Sequence, residues 1–159
     1  MDGFRPDRFD IVGTAICLAG VAVMTPDRIS ATTPVSETNK GLVRRLVEEV
    51  LNERRLDVID ELYHPRLAPA ARRWIEPFLA SFSDIHMRID DLIAEDDTVV
   101  GRFSCSGTHT GDWQGHRPTG RRFTDVAEVY IFRIANGRII GAWGLEDTLS
   151  RLRQLGLEP

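Results

Sequence analysis

Lysine is almost missing from this chain. Lys40 is the single one, and arginine supplies the remaining positive charge. The arginines are scattered rather than clustered, and acidic residues outnumber basic ones to leave a net charge of -4. That balance argues against nucleic acid or an anionic membrane as a main partner, because either would call for a concentrated basic surface. Cysteine is scarce too. Cys17 and Cys105 form no C-x-x-C pair and read as buried free thiols. The four histidines, His64, His86, His109 and His116, include no pair at the spacing a helical metal site needs, so no metal is expected. Internal repeats and low-complexity tracts are absent from the sequence.

Long apolar runs are also lacking. The uncharged stretch Ile11–Met24 is too short for an ordinary transmembrane helix, but its length suits the core of a signal peptide. A small-residue site at Ala31 follows it, while the preceding segment carries more aspartate than arginine, which is a poor leader. Two readings stay open. One is export with cleavage near Ala31; the other is an N-terminal extension, or an upstream start codon, on a cytoplasmic protein whose domain begins near Ser36. Either way residues 1–35 stand apart, joined by a polar Pro/Thr-rich linker to a domain spanning 36–159.

Within that domain, Leu42, Val43, Leu46, Val47, Val50 and Leu51 recur at helical spacing, predicting an amphipathic helix from about Glu37 to Arg55. A short second helix ends at Pro65. A third, about Ala70 to Phe82, sets Trp74, Phe78 and Leu79 on one stripe. After Asp84 the period falls to two. Strands are expected at Ile85–Asp97, Thr98–Gly111, Phe123–Ile134 and Arg138–Asp147, with Asn136-Gly137 as a tight-hairpin signal. A terminal helix, Thr148–Leu155, stops at Gly156. Helices followed by a strand meander predict an α+β fold: N-terminal helices over the concave face of a curved, cone-shaped antiparallel sheet. Such a cone encloses a cavity suited to an apolar or polycyclic small molecule.

The last hairpin predicts a site. A two-residue turn at Asn136-Gly137 pairs Ala135 with Arg138, and an unbroken ladder then sets Tyr130 opposite Trp143, Glu128 opposite Leu145 and Val126 opposite Asp147. These six would share one face, apolar and aromatic with two carboxylates in it. A carboxyl lined by Trp, Leu and Val is desolvated, which moves its pKa toward neutrality and suits it to proton transfer. Asp147 is thus expected either as that working carboxylate or as the cap of the terminal helix. Glu128 would be its coupled diagonal neighbour. The opposite face offers Ala127, Val129 and Ile131, apolar enough to predict a homodimer through sheet packing.

The stretches "GTHTGDWQGHRPTGRRF", "VYIFRIANGRIIGAW" and "DTLSRLRQLG" resemble the SnoaL-like polyketide cyclases of the nuclear transport factor 2-like superfamily, over roughly Asn39 to Gly156. The resemblance implies intramolecular aldol closure of an aromatic polyketide ester, with no cofactor. It puts the acid/base aspartate of such cyclases at Asp147. Glu128 is expected as its partner, and Tyr130, Trp143, His109, Leu145, Phe103 and Trp74 as residues that bind substrate. The chain departs from the family in a shortened segment near residues 65–72 and in lacking histidine on the strand of Glu128 and Tyr130. Alternatives left by the same pocket are an isomerase, hydratase or hydroxylase reaction, or a module that binds small molecules or dimerises without catalysis.

Overall fold

The computed structural model describes residues 34–157. The apolar run Ile11–Met24, the cleavage position at Ala31 and Cys17 lie outside the described residues. Helix α1 (Pro34–Arg45) continues into a wider π-helical segment, Leu46–Asn52. It buries Val43, Leu46, Val47, Val50 and Leu51, the side chains that carried the helical period. Each such burial contributes roughly 1.5–3 kcal/mol.

The helix is pinned to the sheet by amide side chains. Asn52 Nδ2 donates to the Met87 carbonyl at 3.0 Å while its Oδ1 accepts from the Met87 N–H at 2.8 Å. At the other end Asn39 Nδ2 donates to the Asp96 carbonyl at 3.1 Å. A 3₁₀ turn (Leu56–Val58) and helix α2 (Ile59–Leu62) lead to α3 (Ala68–Ser81). The C-terminal carbonyls of α3 have no partners within their own helix. Arg54 supplies donors, reaching Leu79 O at 2.8 Å and, just beyond the helix, Ser83 O at 3.0 Å.

Four antiparallel strands follow in sequential order: β1 (His86–Glu95), β2 (Thr98–Thr108), β3 (Arg122–Ala135) and β4 (Arg138–Glu146). The helices cover the concave face of this curved sheet, the α+β arrangement expected from the sequence. Helix α4 (Thr148–Leu155) closes the chain, with Gly156 at φ 68° as its C-terminal stop. The β3–β4 turn is the one the dipeptide announced, with Asn136 and Gly137 both at positive φ.

The ladder beyond that turn differs from the expected one. Ala135 pairs with Arg138 and Ile134 with Ile139, but Arg133 then pairs with Gly141, leaving Ile140 as an extra residue in β4. From there on Ile131 faces Trp143, Tyr130 faces Gly144, Val129 faces Leu145 and Glu128 faces Glu146. One inserted residue exchanges the two faces of everything that follows it. The bulge sits where β4 is held by a distant segment. Ile139 is fully buried, forms a bridge with Tyr63, and accepts the His64 N–H on its carbonyl at 2.9 Å.

Candidate functional site

The helices and the inner face of the β3–β4 hairpin enclose a cavity of about 320 Å³. Leu46, Val47 and Leu51 line it from the first helix, Ala70, Ala71, Trp74 and Ile75 from α3, and Tyr63, Leu67 and Met87 from the segments between and beside them. The sheet contributes Tyr130, Phe132 and the stretch from Ala142 to Gly144, with Glu146 beyond it. The Tyr130 ring is wedged among aromatics: Trp74 meets it edge-on at 5.9 Å, Phe103 tilts against it at 6.0 Å and Phe132 stacks at 6.1 Å.

One part of this apolar wall is ionic. The Tyr130 hydroxyl donates to Glu146 Oε1 at 2.6 Å. Glu146 Oε2 accepts from Arg151 Nη1 at 2.6 Å, and Arg151 Nη2 donates to Glu128 Oε1 at 2.5 Å. A single guanidinium therefore bridges two carboxylates. Arg151 and Glu128 are sealed from solvent, whereas the Glu146 side chain keeps 21% of its surface exposed. Arg151 is enclosed by rings, with its guanidinium carbon 5.2 Å from the centroid of Phe78, 5.6 Å from Trp113 and 5.1 Å from Phe123. Weakly hydrated, planar and permanently charged, a guanidinium tolerates that setting better than an ammonium would.

The electrostatics follow from this enclosure. Burial pushes the Glu128 carboxyl up to about 7, against the pull of Arg151 and with added repulsion from Glu146. Burial also raises the Tyr130 hydroxyl, helped by the charges of Glu128 and Glu146, so it stays a donor across the working range of pH. Burial works against the Arg151 charge, but the two carboxylates hold its pKa above the ordinary value. Cys105, beside Glu128, is pushed up by burial first and by that carboxylate second, which leaves an unreactive thiol.

Several expected site residues lie elsewhere. Asp147 is exposed. Its Oδ1 accepts the Ser150 N–H at 2.9 Å, which makes it the N-cap of α4. Leu145 (66% exposed) and Trp143 (61% exposed) project from the outer face, although Trp143 borders the cavity. The bulge at Ile140 is the reason in all three cases, and Glu146 takes the inward position expected for Asp147. His109 is fully buried outside the cavity, packed against Phe82 and Trp113 with its Nδ1 near Thr119. Phe103 is core, standing behind Tyr130 rather than lining the cavity.

Trp74 and Tyr130 line the cavity. Glu128 lies behind it, joined to the wall through Arg151. Glu146 and Arg151 went unrecognised in the sequence. The residues that α4 buries are Arg151 and Leu155, four residues apart. Their spacing was the available signal.

A model of the SnoaL-like polyketide cyclase family matches residues 41–155. Among solved structures, TsrD from Streptomyces laurentii superposes with a TM-score of 0.72 at 27% identity, covering 77% of this chain and 97% of that one. A SnoaL-like polyketide cyclase candidate from Jannaschia sp. CCS1 superposes at 0.75 with 21% identity, covering 82% of this chain and 99% of that one, a likeness of fold. A separate short match, 71% identical over 24 residues, links 15% of this chain to a UPF0060 membrane protein of Saccharopolyspora erythraea. The chain spans only 22% of that relative's length. Among the described residues, no helix is long and apolar enough to cross a membrane.

Proposed function

We propose, for a chain that belongs to the SnoaL-like polyketide cyclase family, that the cavity moves a proton beside a carbonyl and closes a ring in an aromatic polyketide ester. The observation that carries this reading is the Glu146–Tyr130 pair, a carboxylate and a phenol 2.6 Å apart in an otherwise apolar wall. Glu146 removes a proton from the carbon next to a carbonyl. Tyr130 turns its hydroxyl to the carbonyl oxygen as charge develops there. The substrate's conjugated system spreads the enolate charge, so no cofactor is invoked. The enolate carbon then attacks a second carbonyl of the same molecule, a carbon–carbon bond forms, and the new alkoxide recovers the proton from Glu146. The aldol step neither oxidises nor reduces, and the proton count closes.

Arg151 holds Glu146 in place from behind, and Glu128 sets the charge of the cluster. The volume of about 320 Å³ is at the small end of ligand cavities.

The test is turnover of an aromatic polyketide methyl ester, followed optically and by mass spectrometry, with wild type, Glu146→Gln and Asp147→Asn. Glu146→Gln should lose at least about a hundredfold, the ordinary scale of acid/base catalysis. Asp147→Asn, which retains a capping oxygen, should stay within a few-fold of wild type. A large loss in Asp147→Asn with none in Glu146→Gln would return the catalytic role to the cap. No turnover by wild type would exclude this substrate class.

The outer sheet face supports a homodimer. Ile93, Val100, Ile131 and Trp143 pair in one apolar row across all four strands, and Val129 and Leu145 extend it. Ion pairs flank the row: Arg102 with Asp91 at 2.7 Å and Arg133 with Asp97 at 2.5 Å. A two-fold axis through the row would bury the apolar residues and set charges at the rim.

A further inference from the structure

Tyr130 is flanked in the sheet by glycine on both sides, Gly101 on β2 and Gly144 on β4. Neither glycine has positive φ, so neither is needed for an unusual backbone conformation. What Gly144 provides is space. A Cβ there would overlap the Cδ1–Cε1 edge of the Tyr130 ring and stand 3.0 Å from its Cζ. The ring thus lies across the bare backbone of β4, and that places its hydroxyl on Glu146, two residues further along the strand. The ring has little freedom to move elsewhere. Trp74 and Phe132 stand against it, and Phe103 backs it from β2, lying over Gly101 in the same manner. Gly144 itself borders the cavity.

We propose that Gly144 is the positioning and specificity-determining residue of this site. Its missing side chain brings Tyr130 into register with Glu146 and leaves the tyrosine ring as a flat wall that takes a planar aromatic ring of the ligand. The proposal rests on reading Tyr130 and Glu146 as the proton-transfer pair, but its test does not depend on turnover.

The first measurement is a stability cycle with Gly144→Ala in the wild-type and the Tyr130→Ala backgrounds. In wild type the added methyl meets the ring, and the unfolding equilibrium constant should rise at least about tenfold, as overpacked cores do. Without the ring, alanine should be neutral or stabilising, since it is better than glycine within a strand. Failure of Gly144→Ala to fold while the double variant folds is the same result in extreme form. Equal destabilisation in both backgrounds overturns the proposal.

The second measurement reads the contact itself. The chain has two tyrosines, so ring-labelled tyrosine gives two sets of NMR signals, of Tyr63 and Tyr130. The Tyr130 signal should move in Gly144→Ala in the direction it moves in Glu146→Gln, and affinity for the neutral planar probe 2-naphthol should fall at least about tenfold. An unmoved Tyr130 signal refutes the positioning role. Unchanged 2-naphthol affinity, or no binding by wild type, refutes the planar-ring specificity. If Glu146→Gln keeps full turnover, the catalytic reading fails while the tyrosine signal still decides the role of Gly144.

Discussion

Replacing Glu128 with glutamine should remove a pH dependence from the stability of the fold. Glu128 faces Arg151 across 2.5 Å, has Cys105 and Tyr130 beside it, and has Glu146 on the far arm of the same guanidinium. Its ordinary value of 4.5 is raised to about 7 in the fold, with burial as the first cause. Between those values the folded protein holds a proton that the unfolded chain has released. The unfolded state binds fewer protons there, so stability falls as pH rises, by about 1.4 kcal/mol per pH unit. Across the window from 4.5 to about 7 the loss amounts to about 3 kcal/mol. It is absent below the window and complete above it.

Glutamine keeps the acceptor for Arg151 and cannot ionise. Urea unfolding of both proteins at intervals from pH 4.5 to 7.5 isolates the effect, because the other titrating groups are common to both. Stability of Glu128→Gln relative to wild type should climb by about 3 kcal/mol across the series. A difference that stays flat would show that Arg151 holds Glu128 ionised throughout. One that falls with pH would reverse the sign of the argument.

Arg151→Met keeps the bulk among Phe78, Trp113 and Phe123 but leaves two carboxylates facing each other without their cation. It should cost about 3–5 kcal/mol by chemical unfolding, and a loss below about 1 kcal/mol would mean the carboxylates are satisfied by other means. Ile131→Glu sets a carboxylate in the middle of the outer apolar row. Sedimentation at micromolar concentration should find a dimer for wild type and a monomer for the variant, whereas a wild-type monomer would rule out sheet-face dimerisation.

Local signals along the chain determined most of the architecture. The spacing from Leu42 to Leu51 encodes the first helix, the change of period after Asp84 marks the sheet, and Asn136-Gly137 encodes the last turn, because each reports a preference of nearby residues. Asp147 and Gly156 likewise bound the terminal helix, and the capping alternative for Asp147 was readable from its place before that helix. The faces of β4 were decided only by tertiary structure. Its alternation continues unbroken in the sequence, while the bulge at Ile140 sits beside Ile139, held by Tyr63 and His64 from a distant part of the chain. Because side chains alternate with period two, that single residue turned Trp143, Leu145 and Asp147 outward and Glu146 inward. Arg151 was hidden for a related reason. An arginine on a short helix reads as solvated, and only the assembled rings and paired carboxylates make its burial favourable.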